Sequence, residues 1–290
     1  MTEYVKPITP SWCPGCGDFS VLASLKKSLL ELKIPPEKTA LIGGIGCAGG
    51  YHNFTDAYGY HSMHGRLLPT AIGVKLANPS LTVIAAGGDG DGFAIGMGHF
   101  VHTLKKNPSV VYVAMNNETY GLTTGQASPT SPVGFEGNIE MPFNAVLTAL
   151  SLPSASFIAR GFSGLPKELT ALMTEAIRFA QDRKGFAFLE VLTPCVTYND
   201  NYDEWRKRVE DVTKLPGYDP TSRPKSFELC LEVMERGKIP IGKIFSPAPD
   251  KLPPSLDSQV VPDPLKAPAL LDISVEHNMA KYQKLLASLG

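Results

Sequence analysis

Residues 81–117 read LTVIAAGGDGDGFAIGMGHFVHTLKKNPSVVYVAMNN, and two apolar runs in that stretch, Leu81 to Ala86 and Val110 to Met115, bracket the turn GGDGDGF. Each run is short and uninterrupted, the pattern of a strand buried on both faces. Phe93 to Lys105 reads as a helix between them, so the stretch is strand, turn, helix, strand. A diphosphate can lie against backbone N–H groups only where side chains are absent, which Gly87, Gly88, Gly90 and Gly92 provide. Asp89 adds a carboxylate, and Asn117 adds a neutral oxygen at the end of the next strand. Magnesium takes such a mixed oxygen set alongside phosphates. GDG alone is an ordinary glycine-rich turn. The paired spacing is what points to a magnesium-held diphosphate and to thiamine diphosphate.

Outward from that unit, strand and helix continue to alternate. Asp18 to Leu32 carries Phe19, Leu22, Leu25, Leu29 and Leu32 at steps of three and four, and Asp18 is placed to cap it. Thr39 to Ile42 reads as a buried strand, Pro69 to Leu76 as helix, Pro166 to Gln181 as an amphipathic helix, and Phe186 to Leu192 as a further strand. The expected fold is α/β, an open, mainly parallel sheet with helices on both faces, with functional residues collected at the C-terminal strand ends. Residues 1–200 form the expected cofactor-binding domain and 201–290 a helical and extended arm for subunit contact. In the arm, Trp205 to Leu215 and Ser226 to Arg236 read as helices. Seven prolines (Pro247, Pro249, Pro253, Pro254, Pro262, Pro264 and Pro268) bar Phe245 to Pro268 from a sheet interior or a long helix. Ile273 to Leu286 returns to a helical stripe of Val275, Met279, Tyr282 and Leu286.

Five cysteines are present. Cys13 and Cys16 in WCPGCGD, Cys47 in GIGCAGG and Cys195 in TPCVTYND all lie beside turn-forming residues, where a bent chain can present sulfur to a shared centre. Cys230, in SFELCLEVM, sits in a helical pattern and reads as a small buried apolar residue. One C-x-x-C and two single cysteines can hold an iron-sulfur cluster or a structural zinc. The single pair favours the cluster modestly, since zinc sites more often use two pairs. Disulfides fit less well, because nothing else indicates an oxidising compartment.

Lys and Arg total 27 against 28 Asp and Glu, so no global field favours nucleic acid or an anionic membrane. No apolar run approaches the roughly 20 residues that span a bilayer, and MTEYVKPITPSWC lacks a basic region leading into an apolar stretch. The expectation is a soluble, cytoplasmic protein. Gly44, Gly46 and Gly49 satisfy G-x-G-x-x-G, but Gly50-Tyr51-His52 is a poor helix start and Met63 to Thr70 has no acidic residue, so a dinucleotide site is rejected. His61 with His64, and His99 with His102, have H-x-x-H spacing; without a third ligand they read as hydrogen-bonding groups. His64, in HGRLLP, remains a candidate for the cofactor pocket.

Taken together, WCPGCGDFS, GIGC, HGRLLPTAIGVKLANP, GDGDGFAIGMGHF, NNETYGLTTGQASPT and PCVTYN resemble the beta subunits of the 2-oxoacid:ferredoxin oxidoreductases, most of all those using 2-oxoglutarate. The likeness runs from about residue 11 to 205. It implies a chain carrying thiamine diphosphate, Mg2+ and one 4Fe-4S cluster, the latter on Cys13, Cys16, Cys47 and Cys195. Asp89, Asn117 and the carbonyl of Thr119 would hold magnesium. Ile45, Gly46, His64, Gly88, Gly90, Asp91, Gly121, Leu122 and Thr123 would line the cofactor. His64 and Leu122 are the implied catalytic positions, Leu122 falling where pyruvate-specific relatives carry an asparagine. Many relatives read NNGVYGLTKGQ, whereas this chain has Glu118-Thr119 and Thr124.

The resemblance further implies a 2-oxoacid losing carbon dioxide, electrons leaving singly through the cluster to ferredoxin, and coenzyme A taking the acyl group. An alpha subunit would supply the activating glutamate, in a heterodimer or a dimer of heterodimers. Two alternatives are a zinc-stabilised, non-redox thiamine decarboxylase and a scaffold subunit that binds neither cofactor. Visible colour with an iron and sulfide assay separates the first, and a cofactor titration the second.

Overall fold

A computed structural model of the chain describes residues 8–182 and 184–260, with the isolated positions 279, 283 and 287. Its strands are β1 (Thr39–Gly43), β2 (Tyr58–His61), β3 (Thr82–Gly88), β4 (Val111–Asn116), β5 (Phe157–Phe162), β6 (Ala187–Leu192), β7 (Val209–Asp211) and β8 (Ile239–Phe245). They form one sheet in the order β2-β1-β3-β4-β6-β5-β8-β7. Pairing is parallel except between β5 and β8. The expected open, mainly parallel α/β sheet is therefore present.

The helices are α1 (Asp18–Glu31), α2 (Tyr51–Phe54), α3 (Leu67–Ala77), α4 (Met97–Lys106), α5 (Ala145–Ser151), α6 (Pro166–Gln181), α7 (Tyr202–Arg208), α8 (Arg223–Glu235) and α9 (Leu256–Val260). They cover both faces, and the strands explain why. Alternate side chains of β4 point to opposite sides: Val111, Val113 and Met115 pack with α1, α2 and α6, while Tyr112 and Ala114 pack with α3, α4, α5 and α8. Both clusters are apolar, so the central strands read as unbroken hydrophobic runs.

This layering also creates the crevice. After β1 the chain passes to the α2 face, and after the adjacent β3 it passes to the α4 face. The loops at those two strand ends diverge, as at the ligand-binding switch point of an open sheet.

Several expectations are corrected. Gly17, not Asp18, occupies the N-cap of α1; Asp18 is the first helical residue and is buried. The helix expected from Phe93 begins at Met97, because Asp91–Ile95 winds as a wider π-turn. Gly92 allows it: a Cβ there would lie 1.9 Å from the Tyr112 hydroxyl. G-x-G-x-x-G does lead into helix, but α2 is a single turn.

Trp205 to Leu215 is not one helix. It breaks after Arg208 into β7, which pairs with β8. The spacing misleads because Trp205 and Val209 serve one apolar cluster while Val212 and Leu215 serve another.

β2, β5, β8 and α5 were not anticipated. β2 is exposed throughout and shows no alternation; β5 carries a charge, Arg160, inside an otherwise fully buried run. Residues 246–260 dock onto the chain's own α4–β4 connection. Asn107 donates to the Pro253 carbonyl (3.1 Å), and the Ser109 N–H donates to Asp257 (2.8 Å). The prolines beyond Val260, and Val275, Tyr282 and Leu286 of the terminal stripe, lie outside the described residues. Among the described residues no helix is long and apolar enough to cross a membrane.

Candidate functional site

One cleft opens at the C-terminal ends of β1, β3, β4 and β6. Most residues singled out for cofactor or metal line it: Cys13, Cys16, Cys47, Cys195, Ile45, Gly46, His64, Gly88, Asp89, Gly90, Asp91, Asn117, Thr119, Gly121, Leu122 and Thr123. Gly87 and Gly92, expected to bare the chain for a diphosphate, do not; they pack inward, where a Cβ would lie 3.3 Å from Asp91 Oδ2 and 1.9 Å from the Tyr112 hydroxyl. Six separate segments converge here.

Asp89 follows β3 directly and is 2% exposed. Ser128 and Thr130 each donate a hydroxyl to its Oδ2 at 2.5 Å. Burial still outweighs these bonds and pushes the carboxyl up to about 6, since desolvation penalises the charged form. A cation at Asp89 would reverse that penalty. Asn117 is held by an Asx turn, its Oδ1 accepting from the Thr119 N–H at 3.0 Å, and its carbonyl is tied to Asn199 Nδ2 at 2.9 Å. A carboxylate, a carboxamide oxygen and the carbonyls of a tight turn form a hard oxygen set, which suits magnesium.

The glycines divide by role. At Gly88 an added Cβ would meet nothing closer than 3.8 Å, and at Gly46 nothing within 4 Å, so both leave open space in the cleft. Gly90 differs, because a Cβ there would lie 2.1 Å from Tyr120 Cε1. Its bareness lets the 117–121 loop close onto the β3 turn. Asp91 organises the cleft from beneath: its Oδ1 accepts from the N–H groups of Ile45 (3.0 Å) and Gly65 (2.8 Å), joining the β1 loop to the HGR loop. Its Oδ2 is buried without a hydrogen-bond partner among the described residues. The adjacent His64 Nδ1 lies 3.5 Å from Asp91 Oδ1, with the side chain 41% exposed toward the cleft.

The cysteine segments are stitched together by backbone bonds. Cys13 and Cys16 flank a turn closed by Cys16 N–H to Cys13 O at 3.0 Å, and Gly17 N–H donates to Pro194 O at 3.3 Å, next to Cys195. Trp12 Nε1 donates to Cys47 O at 2.9 Å, while its ring packs against Phe19, Tyr51 and Phe54. Gly17 must be bare, because a Cβ would sit 2.8 Å from Thr193 Cα. Burial pushes the Cys16 thiol up to about 12, reinforced by the neighbouring Asp18, Cys195 and Cys47. Cys47 is raised by burial, Asp18, Cys195 and Cys13. Thiols that raise one another are neighbours that ionise together only when cationic metal offsets the charge.

Among the described residues no three His, Cys, Asp or Glu side chains close on a single ion. In a cubane each sulfur binds a different iron, so its ligands stand further apart than around one zinc. Cys230 is buried in α8, away from the cleft.

Sequence reading missed Ser128, Thr130, Trp12, Asp18 and Tyr120. The hydroxyls lie 39 and 41 residues beyond Asp89, at the end of the NNETYGLTTGQASPT stretch, where no spacing ties them to that aspartate. Asp18 carries a signal, an acid immediately after C-x-x-C-G, but the same position also reads as a helix cap. Burial pushes its carboxyl up to about 7.

Glu118 and Thr124, where this chain departs from NNGVYGLTKGQ, have φ of +54° and +80°. Only glycine adopts that region freely. The Glu118 carboxyl is also pushed up to about 7, chiefly by burial. Glu118→Gly is therefore expected to raise unfolding free energy by about 1 kcal/mol, read as a higher urea midpoint at unchanged slope.

Residues 44–191 match the family model for the thiamine pyrophosphate enzyme C-terminal TPP-binding domain. Among curated proteins, 2-oxoacid:ferredoxin oxidoreductase 2, subunit beta, of Aeropyrum pernix is 41% identical over 84% of this chain and 82% of its own length. The 2-oxoacid:ferredoxin oxidoreductase subunit beta of Saccharolobus solfataricus is 37% identical over 94% and 91%. Among solved structures, the 2-oxoglutarate:ferredoxin oxidoreductase of Magnetococcus marinus, with 2-oxoglutarate, coenzyme A and succinyl-CoA bound, superposes with a TM-score of 0.80 at 34% identity. That match covers 93% of this chain and 96% of that one.

Proposed function

The chain belongs to the beta subunits of the 2-oxoacid:ferredoxin oxidoreductases, and from that premise we propose that it binds magnesium thiamine diphosphate and a 4Fe-4S cluster in one cleft. With an alpha subunit it interconverts 2-oxoglutarate plus coenzyme A and succinyl-CoA plus carbon dioxide, passing two electrons singly to ferredoxin. The observation that carries this reading is the single cleft shared by the four turn-borne cysteines and Asp89, Asn117 and Thr119. When bound, thiamine diphosphate supplies the electron sink for decarboxylation, and the cluster accepts electrons one at a time.

This chain's residues do the holding and orienting. Asp89, Asn117 and the Thr119 carbonyl hold magnesium; Gly46, Gly88 and Gly121 leave room for the cofactor; Cys13, Cys16, Cys47 and Cys195 hold the cluster. Asp91 keeps the Ile45 and HGR loops in register, and His64 presents its ring to the reacting groups. Leu122, 63% exposed at the cleft, stands at the substrate side and favours a 2-oxoacid longer than pyruvate.

No glutamate lines the cleft among the described residues. The group that engages the aminopyrimidine therefore comes from the alpha subunit, in a heterodimer or a dimer of heterodimers.

The test is anaerobic purification of the complex and of the chain alone. The complex is expected to be brown, to contain iron and sulfide in equal amounts, and to reduce ferredoxin with 2-oxoglutarate and coenzyme A. The isolated chain is expected to be inactive. Zinc in place of iron in the complex, or decarboxylation of 2-oxoglutarate by the isolated chain, would defeat the proposal.

A further inference from the structure

Asp89 is gripped by more than its two hydroxyls. Thr130 Oγ1 lies 2.5 Å from Asp89 Oδ2 and 2.9 Å from Asn116 Oδ1. The Asn116 carboxamide is fixed from both ends: its Oδ1 accepts from the Glu118 N–H at 3.1 Å, and its Nδ2 donates to Glu190 Oε1 at 2.8 Å. Glu190 Oε2 in turn accepts from Arg160 Nε at 2.7 Å. Arg160 also reaches Asn144 Oδ1 (3.4 Å), at the start of α5, and the Pro240 carbonyl on β8 (3.5 Å). Glu190 and Arg160 are direct partners in register on β6 and β5, and Asn116 lies diagonally, two positions along β4 from Ala114, which stands opposite Glu190.

This polar row crosses the middle of an apolar sheet. Glu190 is 2% exposed and Arg160 6% exposed. Burying two charges in a sheet interior gains little stability over an apolar pair of similar size, so their presence calls for another reason. The chain of bonds supplies it. Glu190 accepts only, so it sets which end of Asn116 faces Thr130. The single Thr130 hydroxyl proton is then shared between the Asp89 and Asn116 oxygens in a three-centre bond, which fixes the rotor of the hydroxyl at the aspartate.

We infer that Arg160, Glu190, Asn116 and Thr130 form an orienting relay that fixes the Asp89 carboxylate for its cation. On this inference Arg160 and Glu190 are positioning residues for cofactor loading, although neither lines the cleft. The inference rests on the reading of Asp89 as a cation ligand. The fixed carboxylate loses no rotational freedom when the cation arrives, and the gain appears as affinity.

The experiment titrates magnesium, at saturating thiamine diphosphate, into the alpha-beta complex stripped of both, by calorimetry. Melting of the stripped complex is followed alongside. Arg160→Met with Glu190→Leu removes the charges while keeping volume, and Thr130→Val removes the hydroxyl. Both are expected to raise the magnesium half-saturation by about tenfold or more, with a lower melting temperature alongside because each leaves a buried polar group short of a partner, and with Thr130→Ser restoring the wild-type half-saturation. A merely structural role would move the melting temperature and leave the half-saturation alone, and that result overturns the relay. Weakening by Thr130→Val but not by the double variant also overturns it, by confining the effect to the aspartate's immediate neighbour. Should the double variant not assemble with its partner, Asn116→Leu carries the same test with the same two readings. If the wild-type complex takes up no magnesium with the cofactor, the assignment of Asp89 fails instead, which is a separate outcome.

Discussion

Asp89→Asn is expected to lower magnesium-dependent retention of thiamine diphosphate by more than about 100-fold, because it removes the one anionic ligand in the oxygen set. Asparagine keeps the shape and can still accept from Ser128 and Thr130, so the fold should survive. The energetics of the empty site run the other way. Burial raises the Asp89 carboxyl from 3.8 to about 6, so the folded protein binds the proton more tightly than the unfolded chain. The stability linked to that proton is fully present below about pH 3.8 and is lost as pH rises through about 6. At neutral pH the bare carboxylate then costs on the order of 3 kcal/mol, which a cation offsets. Without magnesium, Asp89→Asn should therefore melt no lower than wild type at pH 7.5. With magnesium and cofactor, only the wild type should gain stability, and its gain should shrink toward pH 5. A variant that kept its cofactor would show that another group carries the metal.

The two halves of the site were not equally legible in the sequence. The β3 turn could be read because three signals agree there: a buried-strand run, bare glycines, and an acid aligned with Asn117 one strand later. The cysteines could be read locally, since turn residues surround each of the four, but their convergence depends on contacts spanning 35 residues from Trp12 to Cys47. The supports of Asp89 could not be read. Ser128 and Thr130 sit inside the NNETYGLTTGQASPT stretch, but nothing joins them to Asp89 until the chain folds back 39 to 41 positions. The charges at Arg160 and Glu190 were a latent signal, because opposite charges in two apolar runs can lie opposite one another in paired strands. FIARGF was not recognised as a strand, because its arginine interrupts the buried pattern. At the far edge, β7 shows that i, i+4 spacing reports shared burial only when one cluster receives every side chain.

Cys47→Ser and Cys230→Ala are expected to separate completely, and the contrast tests the cluster assignment better than either alone. Cys47 lines the cleft on a loop pinned by Trp12, and its thiol is raised by burial and by Asp18, Cys195 and Cys13. Such a group would release its proton to solvent on binding iron, whose positive charge would offset that of the four neighbouring thiolates. A serine hydroxyl is far harder to ionise than a thiol. Cys47→Ser should therefore lose the visible absorbance and most of the iron and sulfide, and ferredoxin reduction should fall by more than about 100-fold. Binding of thiamine diphosphate should persist, because Asp89 and Asn117 belong to the other half of the cleft. Cys230 is 1% exposed, packed with Val233 in the cluster on the α8 face, and burial pushes its thiol up to about 11. It behaves as a small apolar side chain. Cys230→Ala should keep the full iron content and lose only about 1 kcal/mol of stability through the small cavity it leaves. Iron lost from Cys230→Ala, or retained in full by Cys47→Ser, would mean that a different set of sulfurs holds the centre.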